Sequence, residues 1–532
     1  MFGRPAAWYS CPFNLPGKAG PPAQVLWLIN LNCFPVTGRD TSLMNRRNFL
    51  KLGVVGTGAA LTGLETLHSE PVSPSPAPLI GMPISMAPLA RGNLDVLFAD
   101  LRERAGVNAL FPFIYSHEPH RAGVAVAGFH GGNYARPHSQ YYHDTPLTAA
   151  DMRAPEFGDV DVLERLIPVA RKHGIRTFCF ILEDNTLPAA VPNWSSLYEV
   201  DHHNRPSTGH PGGPCFNNPG YQNFTLGLVE DYARSYAIGG IMWGSERQGG
   251  LLNTLNLSQS TGQDPGHTTC FCEFCRKKGG DRGIDVERAR QGFDAVETFM
   301  RSNRSGTPPR DGYFATFWRL LLKYPEVLAW ENLWTESRHE FQAAIYHHVK
   351  GINPALQVGW HVWHNVSFSP FQRAEENYAD LAAFADFIRP ALYNNVAGGR
   401  FLSFVKGART SVLGDLPPET AVDLLFHQLN YTGEAPYAQL AAAGFSADYV
   451  RRETRRAVEG VSGHPVQIWP GVDIDVPVEK GEGHCTPASV ASAVKAVFAG
   501  GAAGIILSRN YTEMQPANLS GAGGALRELN QI

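Results

Sequence analysis

A chain of 532 residues is long enough for one large barrel or for two to three ordinary domains. Its 43% hydrophobic and 18% charged content is that of a soluble globular protein, and a net charge of −4 excludes the basic footprint of a nucleic-acid or anionic-membrane binder. Aromatic residues reach 11%, which suits either a large core or a cleft whose ring faces stack on sugars.

Residues 44–65 read as a processing signal. Met44-Asn-Arg-Arg-Asn-Phe-Leu-Lys51 precedes a mildly apolar, Gly- and Ala-rich run from Leu52 to Leu64. Paired arginines followed by a weakly hydrophobic segment resemble a twin-arginine export signal over 44–65, which implies the twin-arginine export machinery as a partner and a periplasmic or extracellular destination. The apolar run is too short for a stable transmembrane span, which takes about 20 residues. No clean cleavage site follows, so retention as an N-terminal anchor stays open. Residues 1–43 then read as an upstream extension from a mis-assigned start, and Cys11 and Cys33 are set aside with them. Residues 66–78, rich in Pro and Ser, form a linker.

From residue 79 to 532 apolar runs alternate with helical patterns. Strands are predicted at Leu79–Ser85, Ala109–Tyr115, Arg176–Leu182, Gly240–Gly244, Leu356–Val362, Phe387–Tyr393, Pro465–Val472 and Ala503–Leu507. Helical spacing falls at Asn93–Arg104, Asp161–His173, Tyr221–Tyr236 and through much of 280–350. Eight short strands alternating with helices, with polar and aromatic residues at the strand ends, predict a (β/α)8 barrel, a TIM barrel with long βα loops. No phosphate-binding glycine motif follows any strand.

Chemistry gathers between Pro214 and Arg276. Cys270, Cys272 and Cys275 stand in C-x-C-x2-C spacing, close enough to share one tetrahedral metal. Cys215 is available as a fourth thiolate, with Cys485 or His267 as substitutes. Four cysteines leave no open position, so the metal is expected to be structural. Between them, Gly240–Gly244 runs into Ser245-Glu246, a carboxylate at a strand end, where a barrel places its chemistry. Apolar neighbours such as Trp243 are expected to raise the Glu246 pKa into the range of a general acid. Glycoside hydrolysis needs a second carboxyl group, and the seventh strand ends in Asp473 and Asp475, which share one face of a strand. Glu513 is a further candidate, and Glu118 resembles Glu183 and Asp184, which suit ligand orientation or salt bridging. His361, Trp363, His364, Tyr393, Asn394, Arg509 and Tyr511 lie near three other strand ends and suit a sugar-binding cleft. Adjacent His202-His203 and His347-His348 lack the i, i+4 spacing of a helical zinc site.

Gly213-Pro-Cys-Phe-Asn-Asn-Pro-Gly-Tyr221, Glu246 and Cys270-Phe-Cys-Glu-Phe-Cys-Arg276 resemble the zinc-bearing β-galactosidases of glycoside hydrolase family 42. The resemblance implies structural Zn2+ on Cys215, Cys270, Cys272 and Cys275, and Glu246 as acid/base. It also implies a carbohydrate substrate. Ser245 stands where that family has Asn, and Asp473 and Asp475 stand where its clan keeps a Glu nucleophile. The expectation is an exported, distant glycosidase-like barrel. A non-catalytic carbohydrate-binding barrel is the alternative.

Overall fold

The computed structural model describes residues 77–124, 127–183, 193–207, 213–258 and 268–532. The upstream extension, the twin-arginine segment, all but the end of the linker, Asp184 and His267 lie outside the described residues. Among the described residues, no helix is long and apolar enough to cross a membrane.

Eight parallel strands close on themselves. They are β1 (Leu79–Ile84), β2 (Ala109–Pro112), β3 (Arg176–Glu183), β4 (Gly240–Ser245), β5 (Gln357–Val362), β6 (Phe387–Leu392), β7 (Gly471–Asp473) and β8 (Gly504–Ser508). Each pairs with its successor, and β1 pairs with β8, completing the predicted (β/α)8 barrel. The predicted strands all form, within a few residues at each end. The largest difference is the seventh, where the run from Pro465 divides into a short strand at Gln467–Ile468 and β7 itself.

An outer helix follows each strand: α1 (Leu94–Ala105), α2 (Val162–Lys172), α3 (Pro219–Ser235), α4 (Glu326–Ile352), α5 (Tyr378–Ala382), α6 (Ala447–Gly460), α7 (Pro487–Ala499) and α8 (Pro516–Glu528). Side chains stop their starts: Asn93 accepts from Val96 N, Asp161 from Glu164 N and Ser446 from Tyr449 N.

Alternation along the strands decides which side chains fill the barrel. Phe111, Phe178, Phe387 and Trp469 close its floor, with centroids 4.9 Å apart for Phe111–Phe178 and 4.1 Å for Phe387–Trp469. Gly359 makes room for them, since a Cβ there would sit 2.4 Å from the Phe387 ring. Phe113 and Phe180 form the next layer, 4.8 Å apart. Above it the interior turns polar, and the three longest βα connections (after β2, β4 and β6) wall in the mouth.

Candidate active site at the barrel mouth

A cavity of about 170 Å³ opens above the aromatic layers, lined by Arg121, Glu246, His361, His364, Arg389, Tyr393, Arg400 and Arg509, with Phe113, Phe180 and Leu182 beneath. Glu246 is the one carboxylate among the described lining residues, facing four guanidinium groups. It follows β4 directly, and its side chain stays 30% exposed, open to a ligand.

Two arginine–histidine pairs build the wall. Arg389 Nη1 lies 2.6 Å from His361 Nδ1, and His361 Nε2 lies 2.9 Å from Glu246 Oε1. Guanidinium only donates, so Nδ1 is a lone pair and the Nε2–H of a neutral imidazole donates to Glu246. Burial holds the His361 pKa down at about 4, with Arg389 acting in the same direction. In the second pair Arg400 Nη1 lies 3.2 Å from His364 Nδ1, and His364 Nε2 lies 3.1 Å from the Tyr449 hydroxyl. His364 is likewise held neutral, by burial and then by Arg400.

These partners reverse one expectation. Burial does push the Glu246 pKa up, but the His361 hydrogen bond and the charges of Arg121 (3.3 Å away) and Arg400 outweigh it. The carboxyl is held well below the usual carboxylate range, so it is ionised and lacks the proton of a resting general acid.

Asp473 ends β7 fully buried. Its Oδ2 accepts from Asn395 N at 3.0 Å and Val396 N at 3.3 Å, and its Oδ1 accepts from Asn395 Nδ2 at 3.0 Å. It thereby holds the start of the Asn394–Ala408 helix, which carries Arg400 to the cavity. Burial lifts its pKa to about 6 against the pull of Asn395, Val396 and Arg400. Asp475 turns elsewhere. With φ at 57°, it accepts from Gln515 N and Asn518 Nδ2, both at 2.7 Å, bracing the start of α8.

Several other predicted site residues lie apart from the cavity. Glu183 and Ser245 are register partners on the outer face of the sheet, with Trp243 two residues before Ser245 on the same face. Glu183 accepts from Ser245 Oγ at 2.6 Å, from the Tyr221 hydroxyl and from Arg247 at 2.8 Å, all buried. Trp243 packs edge-on against Phe341 and Trp360. Trp363 and Asn394 are buried, Tyr511 is half-buried, and none lines the cavity. Glu513 binds Arg509 at 2.7 Å, and Glu118 binds Arg121 at 3.0 Å. Arg121, Arg389 and Arg400 complete the site and were not among the predicted residues. Arg389 had a signal, a charge inside the apolar run Phe387–Leu392. Arg121 and Arg400 sit on helices inserted in the connections after β2 and β6, Pro119–Ala122 and Asn394–Ala408, away from the predicted strand ends.

Cys215, Cys270, Cys272 and Cys275 are all buried, with their Sγ atoms within 4.8 Å of one another. Cys215 Sγ lies 3.4 Å from Cys275 Sγ and 3.5 Å from Cys272 Sγ. Bonds of about 2.3 Å in a tetrahedron require S···S edges of about 3.8 Å, so the cluster fits a single metal ion. Val200 N and Asn217 N point at sulfurs from 3.4 Å, and Asn217 Nδ2 from 3.3 Å, as donors to thiolate charge do. The cluster is tied to the site through Arg247, next to Glu246. Its Nη2 donates to Pro214 O at 2.9 Å while the guanidinium pairs with Glu183 and Glu199.

Fold and site together define a (β/α)8 barrel with an ionised carboxylate in an arginine-lined mouth and a four-cysteine cluster beside it. No protein-family model matches this chain, and no curated protein does. Among solved structures it is similar to a polyextremophilic β-galactosidase from the Antarctic haloarchaeon Halorubrum lacusprofundi, with 15% identity and a TM-score of 0.46 over 85% of this chain and 58% of that one. It is also similar to the PgaB (BpsB) glycoside hydrolase domain from Bordetella bronchiseptica, at 12% and 0.45 over 85% of this chain and 98% of that one. A third is Gan42B, a GH42 β-galactosidase from G. stearothermophilus, at 12% and 0.44 over 86% and 57%. The chain thus spans less than two thirds of the two β-galactosidases.

Proposed function

We propose that this chain is an exported glycoside hydrolase whose reacting carboxylate is Glu246 and whose substrate is an acidic sugar. The observation that carries the reading is Glu246 at the end of β4, held ionised by His361 and Arg121 yet open to the cavity. An ionised carboxylate suits the nucleophile or water-activating base of glycoside hydrolysis. Its oxygen, or that of a water it deprotonates, attacks the anomeric carbon as the glycosidic C–O bond breaks and the leaving oxygen takes up a proton.

Asp473 is the second carboxyl of this scheme, since its pKa is pushed away from that of Glu246 and it is the one that keeps a proton in mildly acidic solution. Its oxygens face Asn395 and Val396, so proton delivery requires the Asn395 side chain to yield. The enclosure of Asp473 also favours a second reading, a barrel that binds carbohydrate without cleaving it. The twin-arginine pattern at 44–51 supports export, and Cys215, Cys270, Cys272 and Cys275 suit structural zinc, which would fix the loop gripped by Arg247.

The acidic substrate follows from charge. Among the described residues, neither Arg389 nor Arg400 has a carboxylate within 4.0 Å; Arg400 lines the cavity against His364 and the Tyr393 ring, with Glu246 and Asp473 acting on it only from longer range. A uronate carboxylate or a sugar sulfate would supply a directly paired counter-charge. Hydrolysis of aryl uronides in preference to the matching neutral aryl glycosides is the expected result. Turnover of the neutral series alone overturns the substrate class, and binding without turnover of either moves the assignment to the carbohydrate-binding barrel.

A further inference from the structure

A second constellation of metal-ligating side chains lies away from the cavity. His202 and His203 come from the segment before the first cluster cysteine, and Asp294 and Glu297 sit three residues apart on the Val286–Arg304 helix, hence on one face of it. The ligand atoms of all four lie within 4.8 Å of one another. His202 Nε2 is 3.2 Å from Asp294 Oδ1 and 3.3 Å from Glu297 Oε2, while His203 Nε2 is 3.1 Å from Glu297 Oε2 and 3.8 Å from Asp294 Oδ1. A tetrahedral ion with N and O ligands at about 2.1 Å has edges of about 3.4 Å, the middle of this range.

The local chain explains how two adjacent histidines come to the same side. Asp201 Oδ1 accepts from His203 N at 2.9 Å and from Arg205 N at 2.8 Å, and Asn204 takes a left-handed φ of 63°. The backbone folds back on itself there, and the two imidazole centroids lie 3.9 Å apart. A second observation points to a ligand. The His202 ring is fully enclosed, yet neither of its nitrogens has a hydrogen-bond partner, although Nε2 faces two carboxylate oxygens. An enclosed imidazole left unsatisfied in this way is costly, and a bound cation resolves it by taking the lone pair. The other Glu297 oxygen accepts from Arg301 Nη2 at 2.5 Å, which orients the carboxylate as an outer partner of a metal ligand does.

We propose that His202, His203, Asp294 and Glu297 bind a second divalent cation of the zinc class, clamping the Val286–Arg304 helix to the segment that carries the four-cysteine cluster. Two imidazoles with two carboxylates suit zinc better than calcium or magnesium, which take oxygen cages. The half-exposed His203 and Asp294 leave room for exchange with solvent.

The test uses the full folded chain, stripped with chelator and titrated with Co2+, then with Zn2+. Cobalt on the four cysteines gives an intense thiolate charge-transfer band. Cobalt on nitrogen and oxygen ligands gives weak visible bands alone. Two equivalents are expected to bind, only one of them adding to the thiolate band, and His203→Ala and Asp294→Asn should each lose the other while keeping that band. The retained band shows that these variants still fold around the cysteine cluster. Saturation of the wild type at one equivalent, or retention of both equivalents by both variants, overturns the proposal.

Discussion

Replacing Asp473 by Asn tests how this carboxyl is held. The side chain is fully buried, and burial lifts its pKa from an ordinary 3.8 to about 6. The folded state therefore binds the Asp473 proton more tightly than the unfolded chain. The associated stability is fully present below pH about 4 and is lost as pH rises through 6. Each tenfold change in acidity is worth about 1.4 kcal/mol, so the rise amounts to about 3 kcal/mol. Asparagine is isosteric and uncharged, and its oxygen can still accept from Asn395 N and Val396 N. Urea unfolding of wild type and Asp473→Asn between pH 4 and 8 isolates the effect, because all other titrating groups cancel in the difference. The variant should gain on the wild type by about 3 kcal/mol across that range. A difference that does not change with pH refutes the idea that burial raises the pKa of this carboxyl.

Three other outcomes follow from the same geometry. His361→Ala removes the hydrogen bond that helps hold Glu246 ionised, so the acid limb of the kcat/KM profile should move to higher pH; an unmoved limb contradicts the pairing. Glu183→Gln leaves Arg247 buried with Glu199 at 3.3 Å as its remaining carboxylate. The cost should approach the about 3–5 kcal/mol of a broken buried pair, measured by denaturant unfolding, and a loss below about 1 kcal/mol would show the pair to be dispensable. Arg400→Met should lower kcat/KM for aryl uronides by about tenfold or more while sparing neutral glycosides, as expected for one lost charge-assisted contact. An equal loss on both series would mark Arg400 as structural.

The barrel was legible in the sequence because parallel strands buried on both faces are mostly apolar, and eight such short runs alternate with helical spacing from residue 79 onward. Glu246 and the four cysteines were legible for a similar reason, since strand ends and short cysteine spacings are local features. What the sequence obscured was direction and distance. Glu183 and Trp243 stand at strand ends as expected, but strand alternation turns them to the outer face, where Arg247 takes up the Glu183 charge. That alternation could have been applied, since Leu182 and Gly244 occupy the inner positions beside them. The ionisation of Glu246 was not legible, because it depends on His361 near the end of β5 and on Arg121 and Arg400, brought in from two different connections. The same holds for His202 and His203, whose carboxylate neighbours lie some ninety residues along the chain on a helix of another loop.

The central claim is that Glu246 performs glycoside hydrolysis, and the most direct test is the turnover of aryl glycosides by wild type and Glu246→Gln. Circular dichroism and zinc content would first confirm that both are folded. The account predicts measurable wild-type hydrolysis that falls by about a thousandfold or more in the variant, as when an interaction made with the reacting atoms is removed. A folded Glu246→Gln protein that keeps wild-type turnover would contradict it.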